Sequence, residues 1–92
     1  MAILDFRHKG LCDLFVNGRT AKVGKSLRKP ALLILDRLNA IADPEDCRGV
    51  RGFHELKGDR KGTYALSVNK NWRLTFEWRN GGAVEVDLED YH

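Results

Sequence analysis

The chain has 92 residues, 42% of them hydrophobic, and its 16 Lys and Arg residues against 13 Asp and Glu residues give a net charge of +3. This length predicts one globular domain, residues 1–92, and leaves no room for a second domain or a built-in cofactor fold. No stretch approaches the ~20 apolar residues of a membrane helix, and charges interrupt residues 1–9, so we expect no signal peptide. Because only two cysteines occur, we expect no structural disulfides and a cytoplasmic protein.

The first fifth of the chain predicts a short strand followed by a short helix. In residues 2–6, AILDF, Ile3 and Leu4 would lie on opposite faces of a short first strand. Leu11, Leu14 and Phe15 have the spacing of one apolar stripe on a helix. Asn17-Gly18 is a typical helix end, because glycine readily adopts the left-handed conformation there.

A basic connector and a longer helix follow. Residues 19–29 contain five basic residues and no acid, and we interpret them as the connector. Pro30 suits the first turn of a helix, where its missing N–H costs nothing, and Asp43-Pro44 would end that helix. The apolar positions at helical spacing are Ala31, Ile34, Leu35, Leu38, Ile41 and Ala42. A loop, residues 43–53, comes next.

From residue 63 the apolar period changes to two, which predicts three half-buried antiparallel strands. The bulky apolar residues, all at even positions, are Tyr64, Leu66 and Val68, then Trp72, Leu74, Phe76 and Trp78, then Val84, Val86 and Leu88. Partners across two strands must share a face, so even positions pair only if the connecting loops have odd lengths. Three-residue turns therefore pair Val68 with Trp72, and Trp78 with Val84.

This register predicts a polar face on the other side of the sheet. It places Ser67 opposite Arg73, Arg73 opposite Glu89, and Asn71 opposite Tyr91. The helices can cover only the apolar face, where Trp72 and Trp78 would serve as core packing. The expected architecture is therefore α+β, with two N-terminal helices on one face of a small, mainly antiparallel sheet and a bare polar face opposite.

The charge is unevenly distributed along the chain. Residues 83–92 contain four acids and no base, so residues 1–82 carry a net charge of +7. A basic body is typical of proteins that bind a polyanion, most often nucleic acid. It is equally typical of a solubilising surface, and charge alone leaves both interpretations open.

The polar face and its flanking loops hold a set of side chains suited to RNA cleavage: His54, Lys57, Arg60, Lys61, Asn71, Arg73, Asp90, Tyr91 and His92. Histidine can transfer protons near neutral pH, and cations stabilise the charge on a pentacoordinate phosphate. Each member also has a plainer interpretation. A terminal His92 is commonly a frayed surface residue, and an Arg73–Glu89 ion pair contributes below ~1 kcal/mol.

Other chemistries find little support in the sequence. His8 and Cys12 have i, i+4 spacing, but a closed zinc site needs about four ligands with matched spacing, which Cys47, His54 and His92 do not supply. The chain contains no P-loop and no motif for acyl transfer. We therefore expect neither a metal nor a cofactor.

Three segments of the chain form a recognisable set: HELKGDRKG (54–62), NWRLTF (71–76) and EDYH (89–92). Together they resemble HigB toxins of the RelE/ParE superfamily of toxin–antitoxin systems, also called plasmid maintenance system killer proteins. The resemblance is specific over 53–92 and weak over 19–50. It implies a RelE-like microbial RNase fold and a ribosome-dependent mRNA endonuclease that acts in the A site through metal-independent attack by the RNA 2′-OH.

The resemblance also implies roles for individual residues. His92 would transfer a proton, as general acid or general base, while Lys57 and Arg73 would stabilise the pentacoordinate phosphate. Asp90 and Tyr91 would orient His92 or the nucleotide. The implied substrate-binding residues are His54, Asn71, Arg60 and Lys61.

The implied partner is a HigA-like helix-turn-helix antitoxin, through which the toxin would reach operator DNA only indirectly. The basic connector and the helices are candidate contact surfaces for it. Two rival functions remain open on this fold: a ParE-like gyrase inhibitor, and a basic RNA-binding module without catalysis.

Overall fold

The computed structural model of the chain describes residues 2–91. Its elements are α1 (Lys9–Asn17), α2 (Lys25–Ala40), β1 (His54–Glu55), β2 (Thr63–Ser67), β3 (Trp72–Arg79) and β4 (Gly82–Asp90), with short 3-10 turns at Pro44–Cys47 and Gly58–Arg60. The strands form one antiparallel sheet in the order β1-β2-β3-β4. The predicted α+β class is confirmed.

Helix α1 begins and ends at residues that satisfy its terminal backbone groups. His8 precedes the first turn, and its Nδ1 accepts a hydrogen bond from the backbone N–H of Leu11 at 3.2 Å. Gly18 closes the helix in the left-handed conformation, with φ 76°, and its N–H donates to the Leu14 carbonyl at 2.9 Å. The predicted end of this helix is confirmed.

Helix α2 begins at Lys25, within the predicted connector and five residues before Pro30, so the predicted start was wrong. Leu27 is buried and extends the apolar stripe of the helix toward its N-terminus. Pro30 removes only the hydrogen bond to the Ser26 carbonyl, one turn earlier. Burial of Leu27 therefore outweighs the local preference of proline for a helix start. The helix ends at Ala40.

Residues 2–6 lie parallel to β4 without forming a continuous strand. Only two isolated bridges join them to it, Ile3 with Ala83 and Phe6 with Val86. Between the bridges, the Asp5 carboxylate accepts the Glu85 N–H at 2.6 Å, in place of a backbone carbonyl. The predicted first strand is thus reduced to these bridges.

The register between β2 and β3 is as predicted, with Ser67 opposite Arg73. The register between β3 and β4 differs near the turn, where Trp78 pairs with Ala83 and not with Val84. The turn has two residues, Asn80-Gly81, both with positive φ (56° and 79°), as in a type I′ hairpin.

A β-bulge in β4 restores the predicted register farther along. The pairs shift between Thr75 and Glu77, and the extra residue lies on β4, where Glu85 has a φ of 54°. Beyond the bulge, Arg73 lies opposite Glu89, as predicted.

The helices cover the even-numbered face of the sheet, and the core lies between them. Its buried strand residues include Leu66, Val68, Leu74, Phe76 and Val86. Trp72 and Trp78 are half-buried against this cluster, which confirms their assignment to packing. No helix within residues 2–91 is long and apolar enough to cross a membrane.

The odd-numbered face is not bare, which corrects the sequence prediction. Thr75, on this face, is only 2% exposed. The connection from β1 to β2 runs across the sheet, because Arg60 in that connection bonds to Glu89 on β4, the far strand. Thr75 and most of the Glu89 side chain are therefore covered by other parts of the chain.

Candidate active site

The Glu89 carboxylate is the centre of a hydrogen-bond network on the odd-numbered face. Arg60 donates two bonds to it, Nη1 to Oε1 at 2.8 Å and Nη2 to Oε2 at 2.6 Å. Arg73 Nη2 donates to Oε1 at 3.1 Å. The Thr75 hydroxyl donates to Oε2 at 2.7 Å. One carboxylate thus joins β3, β4 and the β1–β2 connection.

These donors keep Glu89 ionised. The hydrogen bonds from Arg60, foremost, and those from Thr75 and Arg73 lower the pKa of the Glu89 carboxyl to about 2, against burial, which raises it. The same bond to Glu89 raises the pKa of the Arg60 guanidinium. At neutral pH the network holds two cations and one anion, a net charge of +1.

Arg73 is fixed from several sides. Its guanidinium carbon lies 5.4 Å from the centre of the Tyr91 ring, within the range of a cation–π contact. The Tyr91 N–H donates to the Asn71 carbonyl at 2.9 Å, which continues the β3–β4 pairing and fixes the Tyr91 backbone beside Arg73. Arg73 Nε is buried and finds no acceptor within residues 2–91. The predicted pair Arg73 and Tyr91 is brought together.

Lys57 and Lys61 flank Arg60 in the connection that crosses the sheet. Lys57 precedes the 3-10 turn, and its carbonyl accepts the Arg60 N–H at 3.4 Å. At the other end, the Gly62 N–H donates to the Glu55 carboxylate at 2.9 Å. Both lysines are exposed and line a shallow groove of 380 Å³ beside Glu55.

His54 lies on the same face as the network, although the sequence could not place it. It pairs with Ala65 in β1–β2, and Ala65 pairs with Thr75, so the three residues form one row. Two strand spacings separate His54 from Thr75, about 10 Å. The exposed His54 ring places Nδ1 2.9 Å from the Gly52 carbonyl, and an Nδ1–H donated there leaves Nε2 as an acceptor.

Asn71, Asp90 and His92 complete the predicted set. Half-buried Asn71 adjoins Trp72 in a groove of 510 Å³ that also reaches Lys22. Asp90 pairs with Trp72, so alternation directs it to the face opposite Tyr91. His92, predicted to transfer the proton, lies outside the described residues.

The sequence prediction did not include Glu89 and Thr75 among the site residues. Parity had placed Arg73 opposite Glu89, and that register was the available signal. That register alone indicates an ordinary surface ion pair. The bond from Arg60 to Glu89 spans 29 residues of sequence and cannot be inferred from a local pattern. Within residues 2–91, no group of three or more His, Cys, Asp or Glu side chains is arranged to hold a metal ion.

The fold has a counterpart among solved structures. The solution structure of a conserved hypothetical protein from Helicobacter pylori matches with a TM-score of 0.55 and 19% identity, covering 99% of this chain and 96% of that one. At this identity the match concerns the fold alone: two helices on one face of an antiparallel sheet.

Sequence comparisons identify the family. The family model for HigB-like toxins, described as RelE-like toxins of type II toxin–antitoxin systems, matches residues 4–92. Endoribonuclease HigB of Proteus vulgaris is 40% identical over 94 residues, covering 98% of this chain and 99% of that one. Toxin HigB-1 of Vibrio cholerae is 32% identical over 92 residues, covering 96% of each. The chain belongs to the HigB-like family of RelE-like toxins, as the sequence motifs indicated.

Proposed function

We propose that this toxin is a ribosome-dependent endoribonuclease that cleaves mRNA by metal-independent attack of a 2′-OH on the adjacent phosphorus. Its membership of a type II toxin family supports the toxin role. A relative named an endoribonuclease, 40% identical over 98% of the chain, supports the RNase activity. The observation that carries the chemistry is the pair of guanidinium groups, Arg60 and Arg73, on one sheet face beside Tyr91.

In the proposed reaction, the 2′-oxygen forms a bond to phosphorus while the bond from phosphorus to the 5′-oxygen breaks. The 2′-OH loses its proton to a base, and the leaving 5′-oxygen receives one from an acid. The products are a 2′,3′-cyclic phosphate and a 5′-OH. Arg73 and Lys57 would stabilise the pentacoordinate phosphate, which carries more negative charge than the ground state.

The proton donor in this proposal is His92, with Asp90 and Tyr91 orienting it or the nucleotide. As a general acid, a protonated imidazole would donate its proton to the leaving 5′-oxygen. His54, Asn71, Arg60 and Lys61 would bind the substrate. Placement of His54 in the same row as Thr75 supports a role on this face.

Dependence on the ribosome fits an open site. Tyr91, Lys57 and Lys61 are exposed on the sheet face and its crossing connection, so little of the protein surrounds a bound nucleotide. In-line alignment of the 2′-oxygen, phosphorus and 5′-oxygen supplies much of such a rate enhancement. We infer that the ribosome provides this alignment by holding the A-site codon.

Membership of a type II family implies an antitoxin partner. We propose a HigA-like helix-turn-helix antitoxin that contacts the helices and the basic segment 19–29 and carries the toxin to operator DNA. Val16 on α1 and Leu33 on α2 are exposed apolar side chains that suit such a contact.

The test is mRNA cleavage in a translating extract. We expect wild-type toxin to produce codon-phased 5′ ends bearing a 5′-OH, and His92→Ala and Lys57→Ala to reduce cleavage at least ~100-fold. Lys9→Ala, which removes an exposed lysine at the start of α1, is the matched control and should cleave like wild type. Cleavage should disappear when purified mRNA is supplied without ribosomes.

Uncut mRNA with normal toxin expression would contradict the nuclease. If growth inhibition then persisted and plasmid DNA became relaxed, the protein would be interpreted as a ParE-like gyrase inhibitor and not as a nuclease. If His92→Ala retained RNA binding and full growth inhibition, the non-catalytic RNA-binding module would be favoured.

A further inference from the structure

The Glu89 carboxylate uses its two oxygens to bind four donors from three residues. Oε1 accepts from Arg60 and Arg73, and Oε2 accepts from Arg60 and Thr75. Its side chain is 20% exposed, whereas that of Arg60 is 43% exposed. The carboxylate is therefore the better-buried and more fully bonded partner of the pair.

Thr75 anchors the carboxylate from the sheet. Because Thr75 is 2% exposed, a Glu89 side chain that swung away would leave the buried hydroxyl without this acceptor, at a free-energy cost. Arg60, in contrast, lies in an exposed connection between two strands. Glu89 is therefore held in place by the sheet, and it in turn holds Arg60.

The bond between Arg60 and Glu89 has the geometry of phosphate recognition. The two terminal guanidinium nitrogens each bond to one carboxylate oxygen, and the same parallel pair of donors matches two phosphate oxygens. Arg60 is thus held in a phosphate-binding geometry by an internal anion. Arg73, bonded to the same carboxylate and stacked near Tyr91, is held beside it.

We propose that Glu89 is a positioning residue that holds the guanidinium groups of Arg60 and Arg73 side by side for the transition-state phosphate, and that it does so at the cost of ground-state RNA affinity. The inference rests on the proposed endoribonuclease function. Glu89 favours turnover because the cations need no rearrangement when charge develops on the phosphate. It opposes binding because its negative charge repels RNA and occupies donors that RNA would otherwise use.

This role predicts opposite changes in affinity and rate. Glu89→Gln removes the charge with little change in shape. Without the carboxylate, both guanidinium groups are available to RNA but are no longer held in one arrangement. A merely structural ion pair predicts instead that binding and cleavage weaken together, because the site loses its shape.

The experiment measures both quantities on programmed ribosomes. Affinity is measured with an mRNA whose A-site codon carries 2′-O-methyl groups and cannot be cleaved, and rate is measured by single-turnover cleavage of the unmodified mRNA. For Glu89→Gln we expect about 3- to 10-fold tighter binding and a steeper salt dependence, by roughly 0.7 in the log–log slope. We expect the cleavage rate to fall at least ~10-fold.

Glu77→Gln is the matched control. It removes the same charge from the same sheet, where Glu77 meets only exposed Arg79, at 3.5 Å among the described ion pairs. We expect its cleavage rate to equal that of wild type. Equal tightening of binding in both variants would overturn the proposal, because net charge alone would then explain it.

Thr75 provides a second variant that leaves the charge unchanged. Thr75→Val removes one bond to Glu89 and should slow cleavage without changing affinity, and Thr75→Ser, which restores the hydroxyl, should restore the rate. If circular dichroism shows that Glu89→Gln is unfolded, the two Thr75 variants test the positioning role of Glu89 in its place. A Thr75→Val rate equal to wild type would overturn the proposal in that case.

The outcomes separate this inference from the function on which it rests. If wild-type toxin cleaves and Glu89→Gln cleaves equally well, or binds more weakly, the positioning role is wrong and the nuclease stands. If wild-type toxin cleaves nothing on the ribosome, the proposed function is wrong and the positioning role falls with it.

Discussion

The side chains that surround Glu89 determine the ionisation of its carboxyl group. Two arginines and a threonine bond to it, and they hold the pKa of its carboxyl at about 2, from an ordinary 4.5. A group whose pKa is lowered on folding stabilises the folded state above its unfolded pKa. That contribution is lost as pH falls through the folded pKa.

Glu89 should therefore contribute to acid stability. At pH 7, the free energy of unfolding of wild type should exceed that of Glu89→Gln by on the order of 1–3 kcal/mol. The difference is no larger because Arg60 is partly exposed and solvent screens its attraction to Glu89. The difference should shrink as pH falls from about 4.5 toward about 2. Urea unfolding of both proteins across pH 2–7 measures it, and a difference that stays constant with pH would contradict the assignment.

The two cysteines differ in burial, and this predicts a difference in reactivity. Cys47 is fully buried in the core, and burial raises the pKa of its thiol above the ordinary value. Cys12 is only half-buried. In the native toxin at pH 8, iodoacetamide should modify Cys12 at least ~10-fold faster than Cys47, as measured by peptide mass spectrometry. Equal rates in the native protein would contradict the burial of Cys47.

At the scale of elements, the β3–β4 hairpin places Arg73 opposite Glu89 in the candidate site. Parity predicted Arg73 opposite Glu89 from a three-residue turn, and the pair is observed with a two-residue turn and one bulged residue. Both arrangements insert the same number of residues between the strands. The alternation of apolar side chains therefore determines the register of the site, but it does not show where the extra residue lies.

The bulge makes a prediction about backbone conformation. Glu85 has a φ of 54°, which glycine adopts freely and β-branched residues adopt poorly. Glu85→Gly should be about as stable as wild type, and Glu85→Val should be less stable by about 1–2 kcal/mol. At Glu77, a β3 residue that flanks the bulge but has no positive φ, the order should reverse, with valine more stable than glycine. Thermal unfolding of the four variants measures both orders, and the same order at both sites would argue against the bulge.

Other elements show where prediction from the sequence fails. The start of α2 was misplaced because Pro30 resembles a helix start locally, while the burial of Leu27 depends on tertiary packing. Strand β1 has two residues and carries no recognisable period. For that reason neither His54 nor the connection that brings Arg60 across the sheet could be placed from the sequence.

At the scale of the whole molecule, the uneven charge has a structural explanation. The acids of β4 form ion pairs with basic side chains from other parts of the chain. Glu89 pairs with Arg60 and Arg73, and the Arg7 guanidinium lies 3.8 Å from the Asp87 carboxylate. Much of the negative charge of β4 is therefore matched at short range. The lysines of the crossing connection remain exposed and are available for phosphate contact.

This distribution predicts which cations contribute to RNA affinity. Lys57→Ala and Lys61→Ala should each reduce the salt slope of RNA binding by roughly 0.7. Arg7→Ala, the matched control, removes the same charge at a position already close to Asp87 and should change the slope little. Filter binding between 50 and 300 mM salt, about the range where such effects are resolved, measures all three. Equal slopes for all variants would mean that RNA binds elsewhere.

The equivalence of turn and bulge in the β3–β4 hairpin has an evolutionary consequence. A relative that loses the bulged residue keeps its arginine and glutamate face to face only if it gains a residue in the turn, because a net change of one residue turns the glutamate to the helix side. Insertions and deletions between residues 79 and 86 should therefore occur in compensating pairs or in even numbers. Such length changes would keep Arg73 and Glu89 paired on one face while the length and sequence of the hairpin tip vary.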